Sequence, residues 1–282
     1  MSKIAIATDS TADIPPEICK QNNIYVMPLS IVHGDQIYQD GIDIKSEEFY
    51  DLLARTDTLP KSSQPSPQDF EQFYHELLQS YDKIISIHLS SGLSGTVNAA
   101  YQAGKNFPNR VDVFDSKSIS VGIALQVLEA VEKIQKGWQV EAILGMLTSI
   151  RDNVETIFTL DTLEYLQKGG RIGKVSSMVG SFFNVKPIIR VEDGIYVPYG
   201  KTRSRGAALT KIASSLQKLA HGRSPKKVAI ANGKGAESAQ ELKKLLVEQF
   251  DLDPIIDSSV GPVIGVHTGP GTVGAAVLYD EE

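Results

Sequence analysis

The chain has 282 residues, 41% hydrophobic and 22% charged, which excludes a disordered or fibrous protein and leaves ample core for two domains. With 28 basic against 34 acidic side chains the net charge is −6, which argues against a broad nucleic-acid footprint. The single cysteine, Cys19, excludes an internal disulfide and a cysteine-based metal site.

In chain order, residues 3–7 read as a short buried strand that ends in the hydroxyl-rich Thr8-Asp9-Ser10-Thr11. Its apolar run breaks before a signal-peptide core is long enough, and no apolar run approaches the ~20 residues of a membrane helix, so a cytoplasmic protein is expected. Pro15-Pro16-Glu17 opens a helix, since proline is tolerated in the first turn. A strand is expected over 24–32, interrupted by Pro28, followed by a turn at Asp40-Gly41 and a helix from Ser46. The prolines of 60–67 impose an extended path, after which residues 68–78 read as a helix.

The central feature is Ser90-Ser91-Gly92-Leu93-Ser94-Gly95-Thr96, between the apolar run 84–89 and a helix that begins after Thr96. Such a strand–turn–helix unit gathers hydroxyls and unpaired backbone N–H groups at a helix N-terminus, where an anion or carboxylate is favoured. Residues 111–114 form the next strand, with Asp115-Ser116 expected to cap a helix over 118–135. Alternating strands and helices imply a doubly wound parallel sheet whose strand ends converge on one crevice.

Beyond a bridging helix over 141–150 the pattern changes. A strand is expected at 156–160, a short helix at 163–167 and a basic turn at Lys168-Gly169-Gly170-Arg171-Ile172-Gly173. Strands at 187–191 and 195–198 flank Asp193-Gly194, a two-residue hairpin signal. A helix ending near Leu219, a strand at 227–231, a helix at 238–249 and closing strands at 263–267 and 274–279 complete an α+β unit with a mostly antiparallel sheet. The expected division is 1–150, a Rossmann-like α/β domain, and 151–282, the α+β domain.

Three chemistries compete for these motifs. Ser94 with His267 as base and Asp9 or Asp115 as orienter makes a serine hydrolase, although the nucleophile elbow lacks its second glycine because Thr96 stands there. A phosphate or other small anion suits the backbone N–H groups, but Gly92 to Thr96 has no Walker lysine, and Gly169-Gly170-Arg171-Ile172-Gly173 does not follow a strand. The five histidines, His33, His75, His88, His221 and His267, are too scattered for metal-ligand spacing, so no metal is expected.

Taken together, Thr8-Asp9-Ser10-Thr11, Ser63-Gln64-Pro65-Ser66, residues 90–96, Gly169-Gly170-Arg171-Ile172, Lys186-Pro187 and His267-Thr268-Gly269-Pro270-Gly271 resemble the DegV family of bacterial fatty-acid-binding proteins. The resemblance spans nearly the whole chain and lies in the order of six motifs. It implies a two-domain protein with one long-chain fatty acid between the domains. It assigns the carboxylate to Ser62, where threonine is usual, and to Ser94 and His267, with Ser63, Gly95 and Thr96 in the head-group loops. It further implies a carrier without a cofactor or catalysis of its own, serving a separate ATP-dependent fatty acid kinase that docks at Arg171 and Arg203. The acyl phosphate formed there feeds phospholipid synthesis, with transient membrane contact for lipid exchange. Met178, Phe182, Phe183 and Val185 are candidates for the tail channel, or for an ordinary helix core.

Overall fold

The structure, a computed structural model, describes residues 2–178 and 185–281. The candidate tail residues Phe182 and Phe183 lie outside that range. Met178 packs against the main core.

Strand β1 (Ile4–Asp9) runs into a 3-10 turn (Ser10–Ala12), then α1 (Pro16–Asn22) and β2 (Ile24–Met27). β3 (Ser30–His33) and β4 (Gln36–Gln39) follow, then α2 (Ser46–Arg55), β5 (Lys61–Ser63) and α3 (Pro67–Leu77). The expected single strand over 24–32 is two strands in two sheets: β2 lies parallel to β1, whereas β3 lies antiparallel to β4 and β5. Pro28 stands at the crossing, where a residue without an N–H ends the first ladder.

β6 (Lys83–His88), α4 (Thr96–Gly104) and β7 (Val111–Asp115) complete a parallel sheet of order β2-β1-β6-β7. Because its strands run one way, Asp9, His88 and Asp115 emerge at the same edge, the usual ligand edge of an open parallel sheet. The expected cap by Asp115-Ser116 is not what the structure shows, because α5 (Val121–Gln135) starts later, after Ser120. Asp115 instead accepts from Ser91 N at 3.2 Å and Ser91 Oγ at 2.5 Å, so it pins the central turn.

α6 (Val140–Arg151) leads to β8 (Val154–Thr159), α7 (Glu164–Lys168) and the hairpin of β9 (Lys186–Glu192) and β10 (Ile195–Thr202). α8 (Arg205–Leu219), β11 (Pro225–Gly233), α9 (Ala236–Phe250), β12 (Ile256–Ser259), α10 (Pro262–Thr268) and β13 (Thr272–Tyr279) follow. The second sheet has the order β10-β9-β8-β13-β11-β12 and is antiparallel except at the β11–β12 pair. The expected closing strand at 263–267 is therefore a correction: those residues are helix α10.

Helix α5 joins the two sheets. Ile123, Ala124, Leu125, Val127 and Ala130 are buried in a core that also takes Ile6 and Ile85 from the parallel sheet and Ala229 and Leu278 from the other. A helix apolar on nearly all sides is one covered on both faces. Even its Glu129 is buried, bonded to Lys226 at 2.9 Å and Lys227 at 2.7 Å across the layer. Burial alone would raise that carboxyl, but the two ammonium groups outweigh it and hold it below the usual range.

Candidate functional site

Three pieces of chain, distant in sequence, meet at the ligand edge of the parallel sheet. The first is β5, held in register by the pairing of Ser62 with Ile31. The second is the central turn, closed by Leu93 N donating to Ser90 O at 3.0 Å and Ser94 N donating to the same oxygen at 3.1 Å. The third is α10, which carries His267 in its last turn. Pro262 sits at its first position, preset for the helix and needing no N–H partner there.

These pieces enclose a cavity of about 230 Å³. Ser62, Ser94 and His267 all border it, together with Ser63, Gln64 and Arg171. Ser62 Oγ and His267 Nε2 are hydrogen-bonded at 2.7 Å across 205 positions of sequence. Ser94 Oγ pairs with Thr96 Oγ1 at 2.9 Å, and Thr96 N donates to Ser94 Oγ at 3.3 Å, so this hydroxyl is set at the start of α4. Gly95 is the residue before α4, and a side chain there would overlap the Gln64 amide. That close approach docks the loop after β5 onto the central turn.

Thr11 and Gln64, named in the sequence only as members of their motifs, border the cavity as well, and so does Tyr196, which the sequence did not single out. A hydroxyl at the carboxyl end of β1 was the available signal for Thr11. Arg203 is exposed in the segment ahead of α8. Arg171, expected at a docking surface, lies in the cavity wall, where Nη1 donates to Gly169 O at 3.0 Å and Nε to Leu93 O at 3.3 Å. It thus ties the Gly169-Gly170 turn to the central turn.

Ile119, Tyr196 and Ile264 separate this cavity from an inner chamber of about 40 Å³ whose wall is mostly carbon, including Val121, Phe158, Val260 and Ala275. A polar mouth thus backs onto an apolar interior. The tip of the β9–β10 hairpin is tied to the central turn: Gly194 O accepts from Ser90 Oγ at 2.7 Å. Asp193 and Gly194 both have positive φ, the geometry that a two-residue turn between twisted strands requires.

Burial pushes the His267 imidazole down to about 4, and the charge of Arg171 adds to that. The ring is therefore neutral near pH 7, and its Nδ1 is buried with no hydrogen-bond partner among the described residues. Because the folded state binds the proton more weakly than the unfolded chain, this group adds stability as pH rises from about 4 to 6.5 and removes it on acidification. Arg171→Gln is expected to move the imidazole upward but short of 6.5, since burial remains; NMR titration of the ring would reveal it. An unchanged midpoint would show that Arg171 does not act on the ring.

The hydrolase arrangement is not assembled. Ser94 pairs with Thr96 and not with the imidazole, Asp9 is engaged by His88 at 2.8 Å, and Asp115 by Ser91 and Lys117. Among the described residues no carboxylate orients His267, and a ring with its conjugate acid near 4 is a weak base at neutral pH. Among the described residues no group of three His, Cys, Asp or Glu is placed to hold a metal, and no helix is long and apolar enough to cross a membrane.

Known proteins match this chain over nearly its whole length. Among curated relatives, a DegV domain-containing protein of Staphylococcus aureus is 37% identical over 278 residues, 99% of each chain. One of Clostridium acetobutylicum is 36% identical over 284 residues, 99% of this chain and 100% of that one. Among solved structures, a DegV family protein of Thermus thermophilus described by its fatty acid binding superposes with a TM-score of 0.94 at 32% identity, over 99% of this chain and 100% of that one. DegV of Bacillus subtilis, described as a fatty acid binding protein, gives a TM-score of 0.89 at 33% identity, over 99% and 100%. A stearic-acid-binding protein of Eubacterium ventriosum gives 0.88 at 26% identity, over 99% and 98%. The family model described as "Uncharacterised protein, DegV family" matches residues 3–280, and the chain belongs to that family.

Proposed function

We propose that this chain is a lipid carrier: it holds one long-chain fatty acid with the carboxylate at the Ser62–Ser94–His267 mouth and the tail in the apolar interior. The observation that carries this reading is the polar cavity backed, across a thin wall of Ile119, Tyr196 and Ile264, by a carbon-walled chamber, with the one imidazole beside a cavity hydroxyl, His267 at Ser62, a weak base whose Nδ1 has no orienting partner among the described residues. The fatty-acid-binding structures of the same fold support it. Ser63, Gly95 and Thr96 shape the head-group loops, and the ligand lies between a 1–150 unit and a 151–282 unit. No cofactor takes part.

The tail supplies the affinity. Burying roughly fourteen methylenes at ~0.8 kcal/mol each yields on the order of 11 kcal/mol before ordering costs. Each neutral head-group hydrogen bond adds only about 0.5–1.5 kcal/mol. The mouth therefore sets polarity and orientation. Such a carrier presents the carboxylate to a separate ATP-dependent kinase subunit, which converts it to an acyl phosphate for phospholipid synthesis in the cytoplasm. Arg203 and Arg171 dock that kinase, Arg171 from an exposed position at the cavity wall. Lipid is taken up and released in transient contact with a membrane.

Organic extraction of the purified protein followed by mass analysis is expected to yield long-chain fatty acid near one per chain. Absence of lipid, or covalent labelling of Ser62 or Ser94 by a fluorophosphonate, would overturn the reading in favour of a small-anion site or a hydrolase. A long tail also has to displace the wall between the chambers. Methyl resonances of Ile119 and Ile264 are expected to shift on addition of palmitate, whereas those of Ile212, on α8 and buried in the outer core, stay in place.

A further inference from the structure

Two buried carboxyl groups from the N-terminal half hold the helix that carries His267. Asp13 Oδ1 accepts from Gly261 N at 2.8 Å, and Asp40 Oδ2 accepts from Val263 N at 3.4 Å, so both cap the first turn of α10. A Cβ built at Gly261 would lie 3.0 Å from Asp13 Oδ1 and 3.3 Å and 3.4 Å from the two Asp40 oxygens, which shows that the carboxyl groups converge on one spot. Asp13 also bonds Ser120 Oγ ahead of α5, and Ser10 bonds Asp40. Among the described residues no lysine, arginine or histidine is bonded to either carboxyl. Two like charges buried side by side without a counter-ion cannot both be ionised cheaply.

We propose that Asp13 and Asp40 are positioning residues that act as a proton-dependent clasp: carrying a proton, the pair fixes α10 and His267 at the cavity mouth, and losing it loosens that helix. The proposal rests on the carrier reading only for its consequence, which is that affinity for an acidic lipid falls as the clasp loses its proton. Ionised carboxylates behind α10 would also repel the head group.

The surroundings agree on the direction. Burial raises Asp13 to about 8 and Asp40 to about 7, with Asp9 at the end of β1 adding to both and Asp40 adding to Asp13. Tyr50 on α2 and Tyr196 on β10 face the pair and are themselves pushed up, chiefly by burial. Asp43 and Lys45 on the following loop are exposed, and His88 is committed to Asp9. Arg171 faces Tyr196 and His267. The folded state holds these protons more tightly than the unfolded chain, so the stability they bring is complete below about pH 4 and is lost as pH rises towards 8. His267 titrates near 4 and Cys19 near 11, outside the window of the pair.

Amide hydrogen exchange across α10 between pH 6 and 9, corrected for the intrinsic pH dependence of exchange, tests the clasp without any ligand. Protection of Gly261 and of residues 263–267 is expected to fall about tenfold over that range in the parent protein and to stay level in the Asp13→Asn, Asp40→Asn double variant. Palmitate affinity is expected to fall by a similar factor in the parent only. Level protection in the parent overturns the clasp whether or not the double variant folds, and so does an equal fall in both proteins. Failure to bind palmitate at any pH, with the exchange profile as expected, would sink the carrier reading and leave the clasp standing.

Discussion

Asp9→Ala is expected to destabilise the protein by about 3–5 kcal/mol, because several buried hydrogen-bonding groups lose their partner at once, each at about 1–3 kcal/mol before the surroundings relax. The Asp9 carboxylate accepts from Thr11 N at 3.1 Å, Thr11 Oγ1, His88 Nδ1 at 2.8 Å and Leu89 N at 3.0 Å. Thr11 and Leu89 donate to it from the backbone and a hydroxyl, and the His88 ring completes the set. Beyond His88 the network continues through Ser86, bonded to His88 Nε2 at 2.7 Å, to Tyr74, which donates to Ser86 at 2.9 Å. None of these side chains reaches solvent, so water cannot replace the lost acceptor. Asp9→Asn is expected to cost less, because one acceptor oxygen remains while its NH₂ group faces donors. Urea unfolding of the three proteins measures the order, and a loss below about 1 kcal/mol for alanine would show that His88 finds another partner.

Asp9 has a second consequence at the mouth. Through Leu89 N and Thr11 it fixes the entrance to the central turn and one wall of the cavity, so its loss should disturb the head-group site as well as the fold. The aspartate was visible in the sequence as part of a hydroxyl-rich strand end. Its hydrogen bond with His88, 79 positions away, was not.

What could be read from the chain were the local devices with strong chemistry. The alternation before Ser90, the hydroxyl-rich turn, the Asp193-Gly194 hairpin and the proline-opened helices all follow from backbone and side-chain preferences acting within a few residues. Helix α10 escaped because Val263-Ile264-Gly265-Val266 is rich in β-branched residues and buried on every side, so seven residues give no amphipathic period. Its signal was Gly261-Pro262, a proline at the first helical position. The meeting of Ser62 with His267 is a product of tertiary packing, and only the family resemblance joined them in advance. The burial of Asp13 and Asp40 was equally out of reach, since an acidic residue in a loop ordinarily faces water.

In a carrier of this kind Ser94→Ala is expected to slow phosphoryl transfer on the order of a hundredfold at saturating lipid while weakening lipid binding less than about tenfold. The binding limit follows from the single neutral hydrogen bond removed, worth about 0.5–1.5 kcal/mol, against the much larger contribution of the buried tail. The rate follows from position. Ser94 stands just ahead of α4, held to Thr96, and borders the cavity from a separate piece of chain from the bonded Ser62–His267 pair. A carboxylate gripped from only one side can turn its reacting oxygen away from an incoming phosphoryl group, and a displacement near 1 Å costs about a hundredfold in rate. Thr148→Ala, which alters an exposed hydroxyl on α6 that donates to Leu144 O at 2.9 Å and does not border the cavity, is the control and is expected to leave both quantities within about twofold. Transfer measured with a cognate kinase and palmitate-loaded carrier decides the matter: equal rates for Ser94→Ala and the parent would mean that the central serine turn holds the lipid without aiming it.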